Sequence, residues 1–199
     1  MNKPCFAAKT ILSLVALGIT TLTVPSTRAA DGPLPKGWGG TPPGEYRLGT
    51  DPEMQRDGRP SAFIMAMKSN PAGFGTMTQF FSAAEYLGKR VRFKGFLKTR
   101  DVTGEGTGLW LRIDDANRRA LQFDNMASRY LKGTTDWTEV SVVLDVPETA
   151  DSFAMGVLLV GPGRVWVNSL TLDVVDSTVP VTFVKPVMRK RPANLGFTE

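Results

Sequence analysis

The 199-residue chain contains no histidine, and its single cysteine, Cys5, lies near the N-terminus. Without histidine there can be no Ser-His-Asp or Cys-His nucleophile, no usual zinc site and no imidazole acid–base chemistry. Helical periodicity is scarce. After the first thirty residues no apolar run is long enough to cross a bilayer as a helix, which takes ~20 residues. The Gly-rich piece TGEGTG (Thr103–Gly108) lacks the Lys-Ser/Thr of a phosphate loop and reads as a hairpin turn.

The start of the chain has the makings of an export signal. Lys3 and Lys9 precede the apolar run Thr10–Val24, Pro25 breaks it, and STRAA supplies small residues for cleavage. Residues 1–29 are therefore expected to be a signal peptide, cut after Ala29 and leaving a periplasmic or secreted protein. Lys and Arg together number 24 and Asp and Glu 19, a net charge of +5. Losing Lys3, Lys9 and Arg28 with the leader reduces it to +2. Nothing in that balance implies a nucleic-acid partner, which would require a clustered basic face, and none is expected. The mature chain would also lack cysteine, so its stability must come from its core. About 170 residues suit one domain.

Residues 30–44 are rich in Gly and Pro and read as a leading loop anchored by Trp38. Short alternating or wholly apolar segments follow, separated by turn residues. The spacing predicts strands at Ala62–Lys68, Gly75–Ser82, Arg90–Thr99, Gly108–Asp114, Ala120–Asp124, Thr138–Val146, Phe153–Val160 and Arg164–Val175. Eight strands in residues 45–178 with little helix imply an all-β, antiparallel, two-sheet jelly-roll sandwich. In KRVRFKGFLKT, Val91, Phe93, Gly95 and Leu97 alternate against Arg90, Arg92, Lys94, Phe96 and Lys98. Leu121 and Phe123 are expected in the core. Ser82 and Glu85 mark one helical turn. Residues 179–199 form a Pro-rich tail with the basic run Arg189–Arg191.

Two kinds of site are compatible with this inventory. Asp114 and Asp124 could serve as a glycosidase-like carboxylate pair if they share a face, although Asp115 and Asn117 read as a turn. The polar strand faces are the richer candidate. Arg92, Trp110, Arg112, Gln79, Asp124 and Trp166 fall in outward phase, and Asn125 leaves the strand beside Asp124. Aromatic planes beside forked hydrogen-bonding groups suit sugars, and the arginines suit an anionic ligand.

The blocks GEYRLGTD, FGTMTQFF, YLGKRVRFKGFLKT, GLWLRID, LQFDNM, KGTTDWTEVSVVLDVP and GRVWVNSLTLDVV resemble, in that order, a bacterial β-sandwich module of galactose-binding-like, carbohydrate-binding type. Similar modules occur beside AraC-type helix-turn-helix regulators and in secreted hydrolases. The resemblance covers roughly Trp38 to Val175. It implies a non-catalytic module binding a carbohydrate-like or other polar ligand. It also implies a structural calcium site, for which Asp51 and Asp173 supply oxygen. The sequence shows no DNA-binding helix pair. Such modules often open on an N-x-x-F-E-like strand, which Asn194–Phe197 would return from the C-terminus as an edge strand. The alternatives are an interaction or structural domain of the cell envelope and a carboxylate-dependent glycan-active enzyme.

Overall fold

The computed structural model describes residues 32–183 and 191–198. The expected leader and Arg189–Lys190 lie outside them. Nine strands form in chain order: β1 (Gly39–Gly40), β2 (Tyr46–Arg56), β3 (Arg59–Ala66), β4 (Phe74–Ser82), β5 (Arg90–Asp114), β6 (Ala120–Asp124), β7 (Leu131–Asp145), β8 (Ser152–Val160) and β9 (Arg164–Val175). All are antiparallel except for one isolated bridge, Pro43 to Tyr46. The only helical pieces among the described residues are 3-10 turns at Ala84–Tyr86 and Ala127–Arg129. No described helix is long and apolar enough to cross a membrane.

The organising element is β5, which has 25 residues. Its first part, Arg90–Arg100, pairs with β9 and β7, whereas Gly106–Asp114 pairs with β8 and β6. One strand thus belongs to two layers, β2-β3-β9-β5-β7 and β1-β4-β8-β5-β6. The expected TGEGTG hairpin is instead the bend where β5 changes layer. Asp101, Gly104 and Gly106 have φ of 52°, 85° and 122°, and the two glycines reach these values without steric cost. Pairing to Gly133 and Leu131 of β7 continues around the bend, so the ladder is irregular but unbroken.

Alternation along β5 fills the space between the layers. Val91, Phe93 and Leu97 from one layer and Leu109, Leu111 and Ile113 from the other are fully buried. Val142, Leu144, Phe153, Val157, Leu159 and Val165 pack with them, and each such side chain contributes about 1.5–3 kcal/mol. Phe153 stacks on Phe81 at 5.0 Å and meets Tyr86 edge-on, closing one end of the core. Ser82 Oγ does accept the Ala84 N–H (3.2 Å) at the expected turn.

Three expectations are corrected. Phe123 is 41% exposed, and Asp124, opposite Leu111, is buried. The phase of β6 is therefore the reverse of the expected one, with Asp124 opposite inward-facing Leu111 and Phe123 opposite outward-facing Arg112. Residues 46–56, outside the eight predicted strands, form β2, which carries a register shift between Asp51 and Gln55. Asn194–Phe197 is a turn, not an edge strand. Phe197 N donates to Asn194 O (3.1 Å), and the Phe197 ring is 92% exposed. The described C-terminal chain instead clips the sandwich at Thr182, whose N–H donates to Val143 O (2.9 Å).

Candidate functional site

The antiparallel register sets out the outer face of β4-β8-β5-β6 row by row. Phe74, Val160 and Gly106 form one row, followed by Thr76, Leu158 and Gly108, then Thr78, Gly156 and Trp110. The last is Phe80, Ala154, Arg112 and Phe123. Between its first and last rows lies a cleft of about 740 Å³, whose far wall is made by Asn125, Tyr130 and Glu105. Beyond β4 the concavity continues over Gly37, Gly39, Gly40 and Thr41 of the leading loop and β1. It therefore runs across the strands. Phe74 and Phe80, six positions apart on β4, stand about 20 Å from each other at ~3.3 Å per residue.

The floor depends on one glycine. A Cβ on Gly156 would lie 1.8 Å from Met77 O and 3.0 Å from Trp110 Nε1, so the indole rests where that strand carries no side chain. Trp110 Nε1 donates to Thr76 Oγ1 (3.0 Å), which in turn donates to Val157 O (2.9 Å). The indole is thereby held by its polar edge. The rim is more open: Phe80 is 72% exposed and Phe74 55%. Arg112 is tethered by Nε (3.0 Å) and Nη2 (2.9 Å) to Asp114 Oδ2, which offsets its charge. Burial, then Glu105 and Asp124, push the Tyr130 phenol above its ordinary pKa, so it stays a hydrogen-bond donor at neutral pH.

Of the residues expected to share one polar face, Trp110, Arg112 and Asn125 meet in this cleft. Asp124 lies behind it with a buried carboxylate, accepting from Met126 N (2.8 Å), Arg129 Nη2 (2.8 Å) and Thr182 Oγ1 (2.6 Å). Gln79 points the other way, into a smaller inter-layer slot with Trp38, Met77 and Phe93. Arg92 and Trp166 belong to the other layer, since β5 carries its two halves to opposite sides of the sandwich. Trp166 is 1% exposed and donates to Asp51 Oδ2 (2.9 Å), so it presents no ring to a ligand.

The calcium expectation also fails on geometry. Asp51 is fully buried, with Oδ2 accepting from Arg164 Nη2 (2.9 Å) and Trp166, and Oδ1 from Glu53 N and Met54 N. Asp173 lies about 20 Å away along β9, beside Arg92 (4.0 Å) and Thr171. No cluster of three potential metal ligands exists among the described residues. Nor do Asp114 and Asp124 face each other. Asp114 bonds Arg112 on the cleft side, whereas Asp124 opposes inward-facing Leu111.

Phe74, Thr76, Thr78, Phe80 and Tyr130 were not singled out from sequence, and Phe123 was expected in the core. The alternation F-G-T-M-T-Q-F held the signal for four of them, because two phenyls share a face with two threonines while Gly75 and Met77 face the core.

No protein-family model matches the chain. A curated relative, the uncharacterized HTH-type transcriptional regulator YbfP of Bacillus subtilis (strain 168), is 40% identical over 169 residues. The match covers 82% of this chain and 57% of YbfP, so the chain spans little more than half of that protein. Among solved structures, the CBM22-1 xylan-binding domain of Paenibacillus barcinonensis Xyn10C aligns with a TM-score of 0.50 at 11% identity. The alignment covers 74% of this chain and 91% of that domain. The enzymatically active domain of bacteriophage CBA120 tailspike protein 4 aligns at a TM-score of 0.53 and 12% identity, covering 70% of this chain and 20% of that one. At these identities the likeness is one of fold: the chain is an all-β sandwich with the architecture of carbohydrate-binding modules.

Proposed function

We propose that the chain is a non-catalytic carbohydrate-binding module, and that the cleft over β4, β8, β5 and β6 takes a linear glycan. The observation that carries this reading is the composition of the cleft. A tethered indole forms the floor, phenyl rings stand at the rim, and hydroxyl, amide, phenol and guanidinium groups lie between them. The CH-rich faces of sugar rings stack on aromatic planes, and their hydroxyls pair with such donors and acceptors. Because Arg112 is neutralised by Asp114 and Glu105 adds a negative charge, neutral sugars fit better than carboxylated or sulfated ones. The side-chain-free floor at Gly37, Gly39 and Gly40 leaves one end open, which suits an internal stretch of polymer. The fold shared with a xylan-binding domain supports the same reading. Residues 1–29 are proposed to direct export to the periplasm or beyond.

The test is a glycan array on the protein without residues 1–29, followed by calorimetry with soluble xylan and linear glucans. Trp110→Ala is expected to weaken binding by about five- to a hundredfold, taking about 1–3 kcal/mol, the value for a base stacked on an aromatic ring, as a guide to a sugar stacked there. If no glycan binds, the reading is wrong. In its place would stand a docking face for another envelope protein, which the exposure of Phe80 favours.

A further inference from the structure

The wall of the cleft formed by Asn125 and Tyr130 belongs to a loop that the core supports only in part. Behind it lies a second concavity of about 410 Å³, lined by Ala127, Ser128, Arg129, Thr182 and Phe183. The loop also contains a left-handed residue, Met126, with φ of 61°, a conformation that costs a non-glycine side chain free energy and persists only where its surroundings impose it. Met126 Sδ accepts the Leu109 N–H (3.3 Å) on the core side. On the other side, Asp124 Oδ1 accepts the Met126 N–H. Its Oδ2 accepts from Arg129 and from Thr182, a residue 58 positions later in the chain.

Thr182 is itself fixed to β7. Its backbone N–H donates to Val143 O, and its Oγ1 accepts the Val143 N–H (2.8 Å). Upstream, Arg90 Nη1 donates to Ser177 O (2.6 Å) and Val179 O (2.7 Å), which pins the segment that delivers Thr182. The C-terminal segment thus joins β7 of one layer to the cleft loop of the other through one hydroxyl on one buried carboxylate.

We infer that Thr182 is a positioning residue for the cleft: through Asp124 it holds the Asn125–Tyr130 loop in the conformation that receives the sugar. The inference rests on the glycan-binding reading above. Coupling between two sites is reciprocal, so an occupied cleft also tightens Ser177–Thr182 on the sandwich. The ligand state of the outer face is then carried to the end of the domain.

Thr182→Val keeps the shape and removes the hydroxyl, and Thr182→Ser restores the hydroxyl. Two readouts are used: amide exchange of residues 125–130, and calorimetric affinity for linear xylo-oligosaccharides. Hydrogen bonds to charged groups are among the stronger ones, and affinity falls with the competent fraction of the loop. Thr182→Val is therefore expected to exchange these amides faster and to bind about three- to tenfold more weakly. Thr182→Ser should return to within about twofold of the parent. Wild-type affinity together with faster exchange would overturn the positioning role. Unchanged exchange in Thr182→Val would overturn the latch itself. Should the parent protein bind no glycan on a wide array, the reading of the cleft falls, and amide exchange still decides the latch.

Discussion

Replacing Asp51 by alanine is the sharpest test of how the outer face of the β2-β3-β9 layer is built. The carboxylate is fully buried, and it accepts from the Arg164 guanidinium, the Trp166 indole and the N–H groups of Glu53 and Met54. Arg164 lies 4.1 Å from the centre of the Phe63 ring and 4.5 Å from that of Trp166. Removing Asp51 takes a buried anionic partner from a cation held between two aromatic rings. An exposed pair would cost about 0–1 kcal/mol to break, but breaking a buried one costs about 3–5 kcal/mol. A domain of this size holds only ~5–15 kcal/mol in total. At about 2–4 °C per kcal/mol, the melting temperature should drop by about 6–20 °C. Urea unfolding followed by tryptophan fluorescence measures the loss, with and without calcium. Asp51→Asn, which keeps the shape and one acceptor, should fall between parent and alanine variant. A loss below about 1 kcal/mol, or a parent stabilised by calcium, would refute the buried ion pair as the role of Asp51.

Two further outcomes are expected. Gly156→Ala places a methyl 1.8 Å from Met77 O and against Trp110 Nε1. It should cost about 1–3 kcal/mol in chemical denaturation and also weaken glycan binding, whereas a neutral result would mean that the indole does not lie over β8. Acid should destabilise the fold. The hydrogen bond from Lys98, helped by the Trp137 N–H, holds Asp136 below the ordinary carboxylate pKa, and the bond from Arg90 does the same for Asp145. A depressed pKa stabilises above the unfolded value, about 3.9, and that contribution is lost as pH falls through the folded values. The melting temperature should be level from pH ~7 to 5 and decline below ~4, modestly because both groups are largely exposed to solvent. A rise on acidification would contradict these pairings.

Much of the fold was legible because most strands obey the alternation that a half-buried sheet requires. Val91, Phe93 and Leu97, and likewise Leu109, Leu111 and Ile113, are buried as their spacing predicts. What escaped the sequence depended on distant partners. TGEGTG has the composition of a hairpin, but β8 and β7 pair along it and keep β5 running. Phe123 was expected inward on hydrophobicity. The opposite phase is fixed by Asp124, whose partner Thr182 lies in another segment. Trp166 does occupy the outward phase, yet Asp51, 115 positions earlier, buries it. At the cleft, Trp110, Arg112 and Asn125 were recognisable by type. Arg92 and Trp166 were wrongly joined to them because β5 passes from one layer to the other, and Gln79 because it takes the core-facing phase of β4.

That passage also constrains how the molecule can assemble. Since β5 is central to both layers, neither has a complete hydrogen-bonded interior until this one segment is in place. Its partners are scattered: Val91 pairs with Val174, and Arg112 with Ala154. Closing such loops costs entropy before the contacts repay it, and chains dominated by distant pairings fold in milliseconds to seconds. The rate-limiting species should therefore contain β5 already docked on β8 and β9. Substitutions at Leu97 and Leu109, on either side of the bend, should both slow refolding, and the two layers should appear and vanish as one kinetic unit.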